Sequence, residues 1–245
     1  MKHFGIVGHP LQHSFSPQYF KQIFREEKVN AEFYIYDIER IEQIKDIIQQ
    51  DALLRGFVVT LPYKQSVMSY LQCISQEAQA IRAVNVIAID KNEGLKGYNT
   101  DVIGLERSLK KHLTSHPKKA LIIGNGGAAQ AAKYVLDNMR VPYLIVNRTP
   151  AENVILYHQL TAEQIHECEL IINATPVGMY PHTMDFPPIN YAAIDEHHFL
   201  FDMIYNPQET LFMQNGKKRG AKVINGYEML CIQADEAWKI WKKLA

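Results

Sequence analysis

Four short segments gather the residue types able to do chemistry. In GNGGAA, Gly124, Gly126 and Ala129 hold the spacing of a dinucleotide-binding turn, with Gly127 and Ala128 completing it. Gly124 permits a tight turn, Gly126 lets the backbone approach a pyrophosphate, and the small Ala129 allows the next helix to pack close on a sheet. The N-terminus of that helix adds backbone donors and a dipole that favours an anion. Asn147, Arg148 and Thr149 stand where the second strand of such a unit ends. An Asp or Glu there would accept from the ribose 2′-OH of NAD, whereas an arginine bonds the 2′-phosphate of NADP. Arg148 therefore points to NADP, with a solvated arginine opening a loop as the plain alternative.

The other three segments, GHPLQHSFSP, TLPYK and GYNTD, offer Ser14 and Ser16, Thr60 and Lys64, and Asn99, Thr100 and Asp101. They fall after apolar runs that read as strands, and ligands of open α/β sheets sit beyond the carboxyl ends of strands. That shared address makes them candidates for one cleft. Taken singly, most have an ordinary structural explanation. Ser16 suits an N-cap before Pro17 at the first helical position, Lys64 an exposed lysine, and Asp101 a cap or first-turn acid of VIGLERSL. Ser14 has no such explanation, and Lys64 sits at a junction where a cation is mildly unfavourable against a helix dipole.

The elements that must position these groups alternate between strand and helix. Residues 4–7, 32–36, 56–60 and 85–90 read as strands, and 17–28 and 41–49 as helices. Residues 121–123, an Ala-rich helix and residues 143–146 follow as a strand, helix and strand around the glycine turn. This alternation predicts an α/β protein of two domains, each with a mainly parallel sheet. Near the end, Leu230, Ala234, Ala237, Trp238, Trp241 and Leu244 make one apolar stripe of a terminal helix. Gln233 lies on the same face, and an amide there needs a partner.

Composition excludes several function classes. The chain has 245 residues, 47% of them apolar, with 26 Lys plus Arg against 26 Asp plus Glu. With no net charge, neither nucleic acid nor an anionic membrane is expected as a partner. No apolar run approaches the about 18 residues of a membrane span, and the opening MKHFGIVGHP reads as a strand, so a cytoplasmic location is expected. Cys73, Cys168 and Cys231 have no paired spacing and read as buried thiols. His112 and His116 lack the carboxylate of an HExxH arrangement, and no metal is expected.

Together the motifs resemble the shikimate dehydrogenase family from the first strand to the last helix. The series runs GHPLQHSFSP, VTLPYK, AVN at 83–85, GYNTDVIG at 97–104, GNGGAA, NRT, INATPVGM at 172–179, DMIYNP at 202–207 and NGYEMLCIQA. The resemblance implies that Ser14, Ser16 and Tyr205 hold a substrate carboxylate, while Thr60, Lys64, Asn85, Asp101 and Gln233 hold its ring oxygens. It makes Lys64 and Asp101 the catalytic pair and adds Thr175, Met203 and Gly226 to the cofactor-binding positions. It also implies a substrate domain of residues 1–100 completed by the C-terminal helix 226–245, an NADP-binding Rossmann domain of 101–225, and a cleft between them. The departures are Val58 for the family's usual Asn, Arg82 for Gly, and Val86 for a common Thr. Asn153 stands where relatives often have a second basic residue, beside the acidic Glu152, and the stretch from 149 to 172 is shorter than in many of them.

The implied activity is reversible NADPH-dependent reduction of 3-dehydroshikimate to shikimate by a monomer or homodimer. A broader quinate/shikimate dehydrogenase that uses NAD, and a non-catalytic NADP-binding sensor, are the alternatives, because fold alone does not establish function.

Overall fold

The structure, a computed structural model, describes residues 1–11, 15–90 and 92–244. It divides into two compact units, Met1–Thr100 with Gln233–Ala245, and Asp101–Ile232. The first unit opens with β1 (Lys2–Gly8), α1 (Ser16–Glu26), β2 (Ala31–Asp37), α2 (Ile44–Gln50) and β3 (Leu54–Val59). β1 pairs in parallel with both β2 and β3, as strands joined through helices must. Ser16 is the first residue of α1 and not its cap. Phe15 holds the cap position without a side-chain bond, so Pro17 falls one position deeper than expected.

β4 (Cys73–Ile74), α3 (Gln76–Ile81), β5 (Val86–Asp90) and β6 (Gly94–Tyr98) complete this sheet in the order β2-β1-β3-β5-β6-β4. β5 runs antiparallel to β3 and β6, while β4 is parallel to β6. The β5–β6 turn is made locally, with the Asp90 carboxylate accepting from the N–H groups of Asn92 and Glu93 at 2.8 and 3.0 Å. Gly94 then takes a φ of +78°, which an L side chain rarely adopts. Because β5 is reversed, its start lies at the edge where β3 and β6 end. Asn85 thereby joins Thr60 and Thr100 at one edge of the sheet.

The second unit contains α4 (Asp101–His112), β7 (Ala120–Ile123), α5 (Gly127–Met139), β8 (Tyr143–Asn147), β9 (Ile155–Leu156), α6 (Ala162–His166), β10 (Leu170–Asn173), β11 (Phe199–Asp202), α7 (Leu211–Lys217) and β12 (Lys222–Ile224). Its sheet has the order β12-β11-β10-β7-β8-β9, with every pair parallel. All four residues of β7 are buried, as a central parallel strand covered on both faces requires. The chain leaves β7 towards β8 on one side and later returns to its other side as β10. That reversal makes the carboxyl end of β7 a switch point, the usual ligand position of such sheets.

The last helix, α8 (Tyr227–Leu244), supplies the first unit's core from Gln233 onward. Trp241 stacks on Phe4 with ring centroids 4.7 Å apart, lies 5.0 Å from Phe20, and donates its Nε1 proton to the Ile87 carbonyl at 2.9 Å. A Cβ on Gly56 would come within 2.3 Å of that Nε1, so the glycine lets the indole reach the sheet. Phe24, Phe33, Trp238, Val58 and Val86 belong to the same buried cluster. Of the three cysteines, only Cys168 is buried, and burial pushes its thiol up to about 12; Cys73 is exposed and Cys231 half-buried. Among the described residues no helix is long and apolar enough to cross a membrane.

Candidate functional site

The glycine turn follows β7. Gly124 has a φ of +106°, and a Cβ there would also come within 2.8 Å of Thr175 Cγ2. Gly126 caps α5 and Gly127 begins it, yet a Cβ built on either meets nothing within 4 Å. Packing does not demand glycine at these two positions. What they offer is bare backbone bordering open space at a helix N-terminus, where unpaired N–H groups receive an anion. Ala129 is fully buried, as close contact between helix and sheet requires, and Ala128 is half-buried.

Asn147 ends β8 and donates from Nδ2 to Thr149 Oγ1 at 2.9 Å. Arg148 and Thr149 are exposed beyond it. Burial raises the pKa of the Tyr157 hydroxyl, and the Arg148 charge opposes that rise. Thr175, Met203 and Gly226 follow β10, β11 and β12. A Cβ on Gly226 would lie 2.3 Å from the Met203 carbonyl oxygen, so these two backbones touch. The expected cofactor positions thus fall along the carboxyl edge of one parallel sheet.

Sequence reasoning passed over the polar network that shapes this edge. Asn173 closes β10 and donates from Nδ2 to Asp202 Oδ1 at 3.0 Å, while its own Oδ1 accepts from the backbone and hydroxyl of Thr175 at 3.1 and 2.7 Å. Asp202 closes β11 and also accepts from the Ile204 N–H and the Thr210 hydroxyl. Burial pushes the Asp202 carboxyl up to about 6, against the pull of these hydrogen bonds. The available signal was a polar residue ending each apolar strand, IIN and FLFD, inside motifs that were quoted for their family likeness alone.

Ser14 lies outside the described residues. Ser16 is buried in the first turn of α1, and Thr60 follows β3. Lys64 is half-buried, and its carbonyl accepts the Val84 N–H at 2.7 Å, anchoring the backbone beneath the side chain. Asn85 is the hub of this edge. Its Oδ1 accepts the Thr100 N–H at 2.7 Å, and its Nδ2 donates to Thr100 Oγ1 at 3.0 Å and Gln233 Oε1 at 3.1 Å. Gln233 therefore has the partner its apolar surroundings require. Thr100, a residue of GYNTD to which the sequence assigned no role, is the third member of this buried group. Asp101 opens α4, buried to 8% exposure, and Tyr205 follows β11; both belong to the second unit.

Three of the residue departures have physical explanations, while Arg82 has none in the structure. Val58 and Val86 pack in the apolar cluster with Phe4 and Trp238. Arg82 caps α3 with a φ of +57°, the left-handed conformation in which glycine ends a helix at least cost. Asn153 also takes a positive φ, +56°, which asparagine tolerates better than a long basic side chain.

Comparison with known proteins agrees with this arrangement. Residues 6–87 match the family model described as the shikimate dehydrogenase substrate binding domain. The enzyme named shikimate dehydrogenase (NADP(+)) from Clostridium beijerinckii is 38% identical, over 99% of this chain and 93% of its own length. A crystal structure of a shikimate dehydrogenase in complex with NADP+ superposes with a TM-score of 0.87 at 34% identity, covering 99% of this chain and 90% of that one. The Thermus thermophilus shikimate 5-dehydrogenase in complex with NADP(H) and shikimate superposes at 0.88 with 28% identity, covering 100% and 94%. A likeness over 99% of the chain spans both sheets, and the chain belongs to the shikimate dehydrogenase family.

Proposed function

We propose that this chain catalyses the reversible NADPH-dependent reduction of 3-dehydroshikimate to shikimate, a step towards chorismate and the aromatic amino acids. The observation that carries the proposal is the 38% identity, over 99% of the chain, to an enzyme named for that activity. The open backbone at Gly126 and Gly127 and the exposed Arg148 fit the pyrophosphate and 2′-phosphate of the cofactor. The first unit is taken as the substrate domain and the second as the cofactor domain.

NADPH, when bound, supplies the hydride. Hydride addition turns a neutral carbonyl into an alkoxide, so the chain must aim a donor at the developing charge. Lys64 takes that role, donating from Nζ to the carbonyl oxygen and then protonating it. Asp101 orients the ammonium and accepts from a neighbouring substrate hydroxyl. Ser14, Ser16 and Tyr205 hold the carboxylate through their hydroxyl groups, while Thr60, Asn85 and Gln233 hold ring oxygens. Initial rates with shikimate and quinate, each against NADP+ and NAD+, test the reading by nicotinamide absorbance. Shikimate with NADP+ is expected to turn over fastest. Faster turnover of quinate with NAD+ would assign the broader dehydrogenase, and no turnover with any pair would assign the sensor.

Removing Arg148 tests the cofactor assignment. A charge-assisted hydrogen bond contributes about 1.5–3 kcal/mol, so Arg148→Ala should weaken NADP+ binding about 10- to 150-fold and leave NAD+ nearly unaffected. Arg148→Asp should favour NAD+ outright, because a carboxylate repels the phosphate and accepts from the 2′-OH. The measurement is kcat/KM for the two cofactors in all three proteins. Equal losses for both would make Arg148 a framework residue.

For Gln233→Ala, shikimate binding should weaken by about 1–3 kcal/mol if a ligand hydroxyl loses its partner. Asn85 Nδ2 keeps Thr100 Oγ1 as an acceptor, so the fold should survive. Calorimetric titration with shikimate and a melting curve separate the two roles. An unchanged Kd with a lowered Tm would confine Gln233 to supporting Asn85.

A further inference from the structure

At the sheet edge opposite the glycine turn, where β10 and β11 begin, three side chains from two segments of the chain converge. His166 ends α6, while Asp195 and His198 frame the turn entering β11. One nitrogen or oxygen from each lies within 4.8 Å of the others. His166 Nδ1 is 3.4 Å from Asp195 Oδ2, and His198 Nδ1 is 2.9 Å from Asp195 Oδ1.

The hydrogen bonds assign the tautomer of His198. The Asp195 N–H donates to Nδ1 at 3.1 Å, so Nδ1 presents its lone pair. Nε2 faces the Ile165 carbonyl at 3.3 Å, and a carbonyl only accepts, so Nε2 carries the proton. The one lone pair of Nδ1 is engaged by that N–H, with Asp195 Oδ1 2.9 Å away, and a cation entering between nitrogen and oxygen would take the lone pair in place of the N–H. Metal-bound histidines characteristically donate their other N–H to a carbonyl or carboxylate, as Nε2 does to Ile165. Two ligand atoms each about 2.0–2.1 Å from one tetrahedral ion stand about 3.4 Å apart, the separation of His166 Nδ1 from Asp195 Oδ2, while the other carboxylate oxygen is the one beside His198. The Asp195 carboxylate is itself oriented by the His197 N–H, which donates to Oδ1 at 3.0 Å.

We propose that His166, Asp195 and His198 bind one divalent transition-metal ion, of the zinc class that imidazole and carboxylate ligands favour. Three protein ligands leave one position to water. Lying at the amino ends of the strands, the ion takes no part in hydride transfer. It ties the end of α6 to the turn before β11, and because the unfolded chain lacks the site, binding stabilises the fold.

The test is calorimetric titration of zinc chloride into the full chain after chelator treatment, with melting curves at each step. His166→Ala, Asp195→Asn and, as a control for surface histidines, His158→Ala are titrated alongside. One zinc per chain and a raised Tm are expected for the parent and for His158→Ala. His166→Ala and Asp195→Asn should each weaken binding by more than the about 10- to 100-fold that loss of an outer-shell partner costs. His166 is exposed at the helix end, so its truncation leaves the fold intact and suffices alone if Asp195→Asn unfolds. Absence of saturable zinc binding by the parent, or an unchanged affinity in His166→Ala, would overturn the proposal.

Discussion

Lys64→Ala should lower kcat for shikimate oxidation by about a hundredfold or more while changing KM much less. A general acid or base contributes about 10²–10⁴ to the rate, and its loss falls on the chemical step. The side chain is half-buried, and the residue's carbonyl is held by the Val84 N–H at 2.7 Å, an interaction that truncation does not touch. The variant should therefore fold and melt close to the parent. Steady-state kinetics with saturating NADP+ separate the parameters. A near-native kcat with only a raised KM would make Lys64 a binding residue and sink the proposed proton transfer.

The largest effect on stability is expected from Trp241→Ala. Emptying a buried aromatic site costs about 3–5 kcal/mol. The Ile87 carbonyl, which accepts from the indole at 2.9 Å, also loses its donor, and an unsatisfied buried acceptor costs about 1–3 kcal/mol. The sum is comparable with the about 5–15 kcal/mol that holds a typical domain together. Trp241→Phe keeps most of the volume and should cost less. Urea unfolding followed by far-ultraviolet circular dichroism measures both, and a loss below about 1 kcal/mol for Trp241→Ala would show that the cluster around Phe4 and Phe20 closes without it.

Parallel strands were legible because burial on both faces writes them as unbroken apolar runs, as at Leu121, Ile122 and Ile123. β6 was not, because its sequence GLKGY carries two glycines and a lysine, and its place comes from pairing with β5 and from the Asp90 turn. Missing β6 hid the reversal of β5, which is what carries Asn85 to the edge shared with Thr60 and Thr100. Thr100, named within GYNTD, was given no role for a related reason, since its importance lies in a hydrogen bond to a residue 15 positions away. Ser16 shows the limit of local rules. Serine before proline is a standard helix start, yet here the helix begins one residue earlier than the cap rule assigns. Asn147, Arg148 and Thr149 fall at a strand end as expected, but the network of Asn173, Asp202 and Thr210 along the same sheet edge depends on spatial pairing that no period reveals.

The first unit takes Trp238 and Trp241 from the far end of the chain, and this bears on the order of events at the ribosome. Synthesis proceeds at about 5–20 residues per second, and domains commonly fold in the order they emerge. Here the sheet of β7 to β12 can be complete while Phe4, Phe20, Phe24 and Phe33 still lack the indoles that cover them. For several seconds the nascent chain carries an open aromatic face on residues 4–33, the kind of exposed apolar surface that makes a folding chain prone to aggregate. That segment can close only once Trp238 and Trp241 have been made, and not when the first hundred residues have emerged.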